Sequence, residues 1–505
     1  MTTKSRMGTA ALIVSAGVLV SRVLGLVRNI IVADILGADA ISDTYVAAFK
    51  IPDFTNYLLA GGFLSITFIP IFTRYLADDD EEGGWAAFGA IARWAAIAIT
   101  ALIVIAWMAT PGVVRSIFPL FNEAQVAETV RNTRIILPAQ FFFILGSLLM
   151  AVQYAKGSFL IPSLAPIVYN LGIIIGGVLG NLGTEAGETA PFMWGVLVGS
   201  VVGNFGLQIF GARRSGLKNV STSWSHPAVR QYVALAIPLM VGQSIAFFDE
   251  FFATKFGTDV GPGAATHIEY ARRTMLVPVG AIAQAASVAA YPTLARLYNE
   301  KREETLTTTL SRSIQWVTVL SIGGAVLLSM LARPVISLLY ERGRFGADDA
   351  EAAALALSVY ALAIPLWGVL QLVTRGFYAR RQMWIPVVIG TAATVVAIPL
   401  YSWAAARYGV AGVAMASVMS LALYTGALAW RWYEQQGWVF FAPILRSVGR
   451  AVPLAILSGA MAWLAKWIVV QAVDQTTAYG ALAVILATTA AFVFTTVAAG
   501  GVLSD

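Results

Sequence analysis

Apolar runs of about 20 residues recur from one end of the chain to the other, each long enough to cross the hydrocarbon core of a bilayer as a helix. Between them lie short segments that carry most of the Lys and Arg. With 58% hydrophobic and only 12% charged residues in 505, a water-soluble fold would have too little polar surface to cover itself. The fold class that follows is all-α, a polytopic membrane protein. The formal net charge of +6 would suggest nucleic acid in a soluble chain. Here the basic residues sit in loops, where they orient the protein, and no nucleic-acid partner is expected. The absence of cysteine excludes disulfides and thiolate metal sites. The first apolar run is too long for a cleavable signal and is read as the first helix.

Placing one span on each run gives about fourteen helices, the first centred near Leu19, the second near Leu59 and the seventh near Ile245. Pro52, Gly61 and Gly62 interrupt the second and are expected to bend it. An even number of spans puts both termini on one side. Lys4, Arg6, Arg213, Arg214, Lys218, Arg230, Arg380 and Arg381 share that side, whereas Arg115, Arg131, Arg134, Arg333, Arg342 and Arg344 fall on the other. The positive-inside rule then makes both termini cytoplasmic. The acidic run Asp78–Glu82 reads as a solvated turn.

The hydropathy is approximately duplicated about the basic loop between Arg213 and Arg230. The expected organisation is an N-terminal six-helix bundle (1–214), a cytoplasmic linker (215–230), a second six-helix bundle (231–440) and a C-terminal helix pair (441–505). Two pseudo-symmetric bundles around a central cationic cavity is a transporter plan. The last pair carries little charge beyond Lys466 and Asp474, which suits packing or a groove for a lipid tail.

Two arginines, Arg22 and Arg28, lie inside the first run. A charge at that depth costs several kcal/mol, on the order of 3 or more, unless it faces protein or water. Snorkelling explains a cation near a helix end but fits Arg22 poorly, because apolar residues extend well to both sides of it. At about 100° per residue, Asn29, Gly25, Ser21 and Arg28 lie about 20°, 60°, 100° and 120° from Arg22, all on one side. The arc suits an anionic ligand. Asp43 and Lys50 open the second span, and Arg272 with Arg273 opens the eighth. Arg375 ends the tenth, and one arginine of each cluster is a candidate interface anchor. Asp249 and Glu250 lie within the seventh span, either as a site for a coupling cation or proton, or as neutralising partners of the arginines.

The stretches SRVLGLVRN, SDTYVAAFKIPDF, LLAGGFLSITFIPIF, IPSLAPIVYN, YARRTMLVPVGAIAQAASVAAYPTLARL and GFYARRQMWIPV, in this order over nearly the whole length, resemble the MurJ/MviN lipid II flippase family of the multidrug/oligosaccharidyl-lipid/polysaccharide exporter superfamily. The resemblance implies a flippase, not an enzyme, that carries the undecaprenyl-pyrophosphate-linked disaccharide pentapeptide from the inner to the outer leaflet of the bacterial cytoplasmic membrane by alternating access. It implies no cofactor and no metal. Lipid II and membrane lipids are the implied partners, along with proteins of cell-wall synthesis or division. It assigns Ser21, Arg22, Arg28, Asp43 and Arg273 to the substrate, with Asn29 in the same arc. Lys50, Asn56 and Arg375 are further candidates, and Asp249 is the coupling-ion candidate. The last two helices would hold the isoprenoid tail.

The chain departs from that pattern where many members carry an acid and it has Asn29, and where some carry an arginine and a glutamate and it has Asn56 and Gly61. Between Val387 and Trp430 no carboxylate or Asn is present to complete a sodium site with Asp249, only hydroxyls such as Thr391, Ser402 and Ser417. The alternatives are a flippase for another polyprenyl-linked glycan and a multidrug antiporter, although a cationic cavity suits cationic drugs poorly. An enzyme of the polyprenyl-phosphate pool would need clustered carboxylates or a nucleophile–base pair. The two histidines, His226 and His267, read as isolated loop residues.

Overall fold

A computed structural model describes the backbone of residues 3–58, 63–183, 187–217 and 224–504, with side chains at 3–13, 15, 58, 63–66, 237–246 and 500–504 left aside. The span centre at Leu59, the expected bend at Gly61 and Gly62, Lys218, and the side chains of Lys4 and Arg6 lie outside the described residues. The chain folds as two compact units, Met1–Leu36 with Ala40–Phe247, and Gly37–Asp39 with Phe248–Asp505.

The first unit contains α1 (Thr3–Leu36), α2 (Ala40–Ala48), α3 (Lys50–Leu58), α4 (Phe63–Ala77), α5 (Glu81–Ile117), α6 (Glu123–Ile136), α7 (Ala139–Ala155), α8 (Leu160–Gly180), α9 (Ala190–Gly199) and α10 (Leu207–Arg214). A π-helical segment, Ser200–Gly206, joins the last two, and α11 (Pro227–Val260) runs on into the second unit. There follow α12 (Ala264–Val279), the π segment Gly280–Gln284, α13 (Ala285–Asn299), α14 (Glu303–Met330), α15 (Ala332–Tyr340), α16 (Ala347–Tyr360), α17 (Ala363–Ala379), α18 (Trp384–Gln436), α19 (Trp438–Ala472) and α20 (Ala478–Ser504). No strand occurs among the described residues.

Ten of these helical stretches are long and apolar enough to cross a membrane, or eleven if the α16–α17 pair, bent by 44°, counts as one. Fourteen are not counted among the described residues: α11, where the seventh span is expected near Ile245, includes side chains at 237–246 that lie outside them, and two of the other expected spans run together in α18. At 1.5 Å per residue, the 53 residues of α18 would extend roughly 80 Å, far beyond a bilayer of about 30 Å. Gly409 breaks it with φ +56° and ψ −133°, a backbone that favours glycine, so the spans expected near Thr394 and Val418 are continuous in hydrogen bonding but not in direction. The second expected span is divided into α2 and α3 at Phe49, and residues 59–62, between α3 and α4, lie outside the described residues.

Pro52 accounts for the α2–α3 break. It has no N–H to offer the carbonyl of Ala48, four residues earlier. That carbonyl instead accepts from the hydroxyl of Thr133 in α6 at 3.1 Å, within a fully buried contact. The chain resumes at Asp53, whose N–H donates to Phe49 at 2.8 Å.

The tightest packing in the first unit joins α8 to α9. Gly172 and Gly176 on one helix, and Gly195 and Gly199 on the other, repeat at the four-residue spacing that lets membrane helices touch backbone to backbone. A Cβ on Gly172 would come within 2.7 Å of the Cα of Gly199, and one on Gly176 within 2.8 Å of the Cα of Gly195. The acidic run ends in a cap: Asp80 accepts from the N–H of Gly83 at 2.8 Å, and Asp78 to Glu82 are exposed, as a solvated turn should be. In the second unit α19 and α20 pack on each other, and α19 packs on α14. Lys466 of α19 donates to the carbonyl of Met330 at 2.7 Å, satisfying an orphan acceptor at the C-terminus of α14.

Candidate functional site

Within the first unit, α1 presents Arg22 exposed and Ser21, Arg28 and Asn29 half-buried. The amide oxygen of Asn29 accepts from Nε and Nη2 of Arg28 at 3.3 and 3.1 Å. The residue that replaces an acid is thus in contact with the guanidinium it would have neutralised, and orients it without cancelling its charge. Gly25, on the same arc, faces α8, where a Cβ would sit at an ordinary 3.9 Å from Oδ1 of Asn170. Asn170 is buried and its amide nitrogen donates to the Pro166 carbonyl at 2.8 Å.

Asp43 lies in the first turn of α2 and Lys50 is the first residue of α3, both almost fully buried. They therefore belong to two short helices on either side of the Pro52-induced break, not to one continuous span two turns apart. Asn56 is half-buried in α3.

The second unit separates the two neighbouring arginines of α12. Arg272, with its side chain 11% exposed, puts Nη1 3.0 Å from Oε2 of Glu250 and Nε 3.8 Å from Oδ2 of Asp249. Arg273, 38% exposed, pairs with Glu269 one helical turn back at 2.5 Å. The other carboxylate oxygen of Asp249 accepts from the hydroxyls of Tyr401 at 2.8 Å and Ser417 at 2.9 Å. Of the two sequence readings of Asp249 and Glu250, the neutralising one has a partner within reach, and it is Arg272. Arg375 of α17 donates from Nε to the hydroxyl of Ser287 at 3.1 Å and stands over the ring of Tyr291 at 5.4 Å.

His267 corrects another expectation. It lies in α12 rather than in a loop, is buried, and places Nε2 3.0 Å from Oδ1 of Asp349. A single histidine ahead of an apolar run gives no periodic signal of which side of the helix start it occupies. Tyr401 and Ser417 were also beyond sequence reasoning as partners of Asp249, being 152 and 168 residues away. The Glu269–Arg273 pair, in contrast, has the i,i+4 spacing that would have disclosed it.

Long apolar helices with arginines and carboxylates held among them define a multi-pass membrane protein. A model of the family described as lipid II flippase MurJ matches residues 32–486. The probable lipid II flippase MurJ of Vibrio cholerae serotype O1 is 28% identical over 495 residues, covering 93% of this chain and 92% of its own. Among solved structures, an inward closed conformation of lipid II flippase MurJ superposes with a TM-score of 0.75 at 19% identity, over 98% of this chain and all of that one. An inward-facing multidrug resistance transporter of the MATE family superposes with a TM-score of 0.69 at 16% identity, over 86% and 95%. The two structural likenesses speak for the fold alone, which a lipid flippase and a drug transporter share. The family match decides between them: this chain belongs to the MurJ lipid II flippase family.

Proposed function

We propose that this protein moves lipid II, the undecaprenyl-pyrophosphate-linked peptidoglycan precursor, from the inner to the outer leaflet of the bacterial cytoplasmic membrane by alternating access, without covalent chemistry. The observation that carries the reading is the family match over residues 32–486. The arginines add a chemical reason. A guanidinium stays charged when partly desolvated and offers several donors to pyrophosphate oxygens, which a lysine matches only as a point charge.

In this reading Arg22, Arg28 and Arg273 meet the pyrophosphate, with Ser21 and Asn29 orienting the first-helix pair. Asp43 and Lys50 hold the broken second segment in place, Asn56 borders it, and Arg375 serves the headgroup from α17. The helix pair at 441–505 takes the isoprenoid tail, and the expected bundles at 1–214 and 231–440, joined through 215–230, perform the exchange of access. Both termini face the cytoplasm. Asp249 acts as the counter-charge of Arg272, and its use by a coupling ion is the competing role. Membrane lipids surround the protein, and proteins of cell-wall synthesis or division are its proposed neighbours.

The test is complementation. Expressed in a bacterium whose own lipid II flippase can be switched off, the wild type should sustain growth and Arg28→Ala should not. Absence of growth from the wild type, despite confirmed insertion, would turn the reading towards another polyprenyl-linked glycan.

A further inference from the structure

A groove of about 570 Å³ opens on the first unit, with none of the arginines of α1 in its lining. It runs between α6 and α9 and is lined by Val130, Arg131, Arg134, Pro138, Trp194 and Leu197. Its size falls within the range of small-molecule sites, roughly 300–1,000 Å³. Its lining is apolar apart from Arg131 and Arg134. The guanidinium of Arg134 lies 4.1 Å over the ring of Trp107, and its Nε donates to the Trp107 carbonyl at 3.2 Å. Both contacts fix the group without neutralising it, and among the described residues no carboxylate pairs with Arg134. Arg131 is different, since Glu128 holds it at 2.6 Å.

We infer that this groove binds an anionic phospholipid of the surrounding membrane, its phosphate on Arg134 and the start of one acyl chain along Val130, Pro138 and Leu197. Two features favour a phospholipid over a soluble anion. Trp107 and Trp194 flank the groove with 44% and 54% of their surfaces exposed, and amphipathic rings left outward on spanning helices mark the headgroup level of a bilayer. From that level the apolar lining continues along α6, α7 and α9, which belong to spans, so an occupant must offer an anion and a hydrocarbon chain together. Arg134 is half-buried, which makes its charge more costly to leave without a counter-ion than that of a fully solvated side chain.

The test is native mass spectrometry of the delipidated full-length protein, titrated with dioleoylphosphatidylglycerol or dioleoylphosphatidylcholine. Wild type should retain the anionic lipid at least about fivefold better, as a charge-assisted contact implies. Arg134→Gln should bring the two lipids level. Arg115→Gln, which breaks only the exposed pair with Glu123, should leave the preference intact. Equal retention by wild type, or an unchanged preference in a folded Arg134→Gln variant, would overturn the proposal. So would displacement of phosphatidylglycerol by equimolar undecaprenyl phosphate, which would assign the groove to the polyprenyl carrier. Should Arg134→Gln fail to fold, a headgroup-photoactivatable phosphatidylglycerol must label peptides of α6 or α9 in the wild type, and labelling confined elsewhere would refute the site.

Discussion

Arg272 donates from Nη1 to Oε2 of Glu250 at 3.0 Å, so the first arginine of the pair in α12 is consumed inside the protein while the second, Arg273, is more than three times as exposed. The two residues adjoin in sequence but leave the helix about 100° apart. One is enclosed by the carboxylates of Asp249 and Glu250, and the other is paired with Glu269 but keeps part of its guanidinium exposed. Removing one partner of a buried ion pair strands the other, at a cost of about 3–5 kcal/mol. Arg272→Ala, which strands Asp249 and Glu250 together, should therefore lower the unfolding midpoint in detergent sharply, whereas Arg273→Ala, which removes a more exposed cation from Glu269 alone, should lower it less yet fail to complement. The reverse pattern would overturn the division of labour.

Arg28 and Asn29 predict a graded series. Arg28→Ala should abolish complementation in a folded protein, and Arg28→Lys should restore it only in part, because an ammonium lacks the fork that grips a pyrophosphate. Asn29→Ala removes the amide that orients Arg28 and should slow growth without stopping it. Full activity of Arg28→Ala would remove this residue from the transport path.

Thr133→Val should leave the Ala48 carbonyl buried without a donor, costing about 1–3 kcal/mol, whereas Thr133→Ser should remain close to wild type. Comparison of thermal midpoints for the two variants isolates the hydroxyl from the methyl group. Equal midpoints would mean that water or a shifted backbone replaces the bond.

A Cβ at Gly172 or Gly195 has no room, since each faces the backbone of the opposite helix. Gly172→Ala and Gly195→Ala should each destabilise by about 1–3 kcal/mol through overpacking. Gly112→Ala, where nothing lies within 4 Å of the new methyl group, should be silent in the same melting assay.

Acid should weaken the corner formed by α15 and the start of α16. Burial pushes the Glu341 carboxyl up, but hydrogen bonds from Arg333 and Ser337 outweigh it and hold the group below its ordinary 4.5. A depressed carboxylate stabilises the fold at pH values above 4.5, and that contribution is lost as the pH falls below 4.5 through the folded-state value. Wild type should lose midpoint temperature in that window, and Glu341→Gln should lose less. Parallel curves would assign the acid sensitivity to other groups.

How much of this was legible in the chain differs from feature to feature. The membrane class and the all-α fold followed from apolar runs, because span length is dictated by the bilayer and every backbone group must be bonded within it. Arg22 and Arg28 were conspicuous for the same reason, as exceptions to an apolar rule. The number of helices was less readable. Hydropathy counts crossings of the membrane but is blind to whether hydrogen bonding continues through a turn, as at Gly409, or stops inside a run, as at Phe49. Partnerships were least readable. Asp249 could be placed in a helix from sequence, but its hydroxyl neighbours Tyr401 and Ser417 lie 152 and 168 residues further along, and only the family resemblance, not the residue pattern itself, set Arg273 apart from Arg272.

The glycine contact between α8 and α9 bears on how the first unit can move. Two helices whose backbones touch along both Gly172–Gly199 and Gly176–Gly195 have no compressible layer of side chains between them. Sliding one past the other by even a single residue would drive the Cβ atoms beside the glycines into the facing backbone. The pair therefore behaves as a stiff plank, and deformation during a transport cycle is diverted to the places where helical hydrogen bonding is already interrupted, with the joint at Pro52 foremost among them.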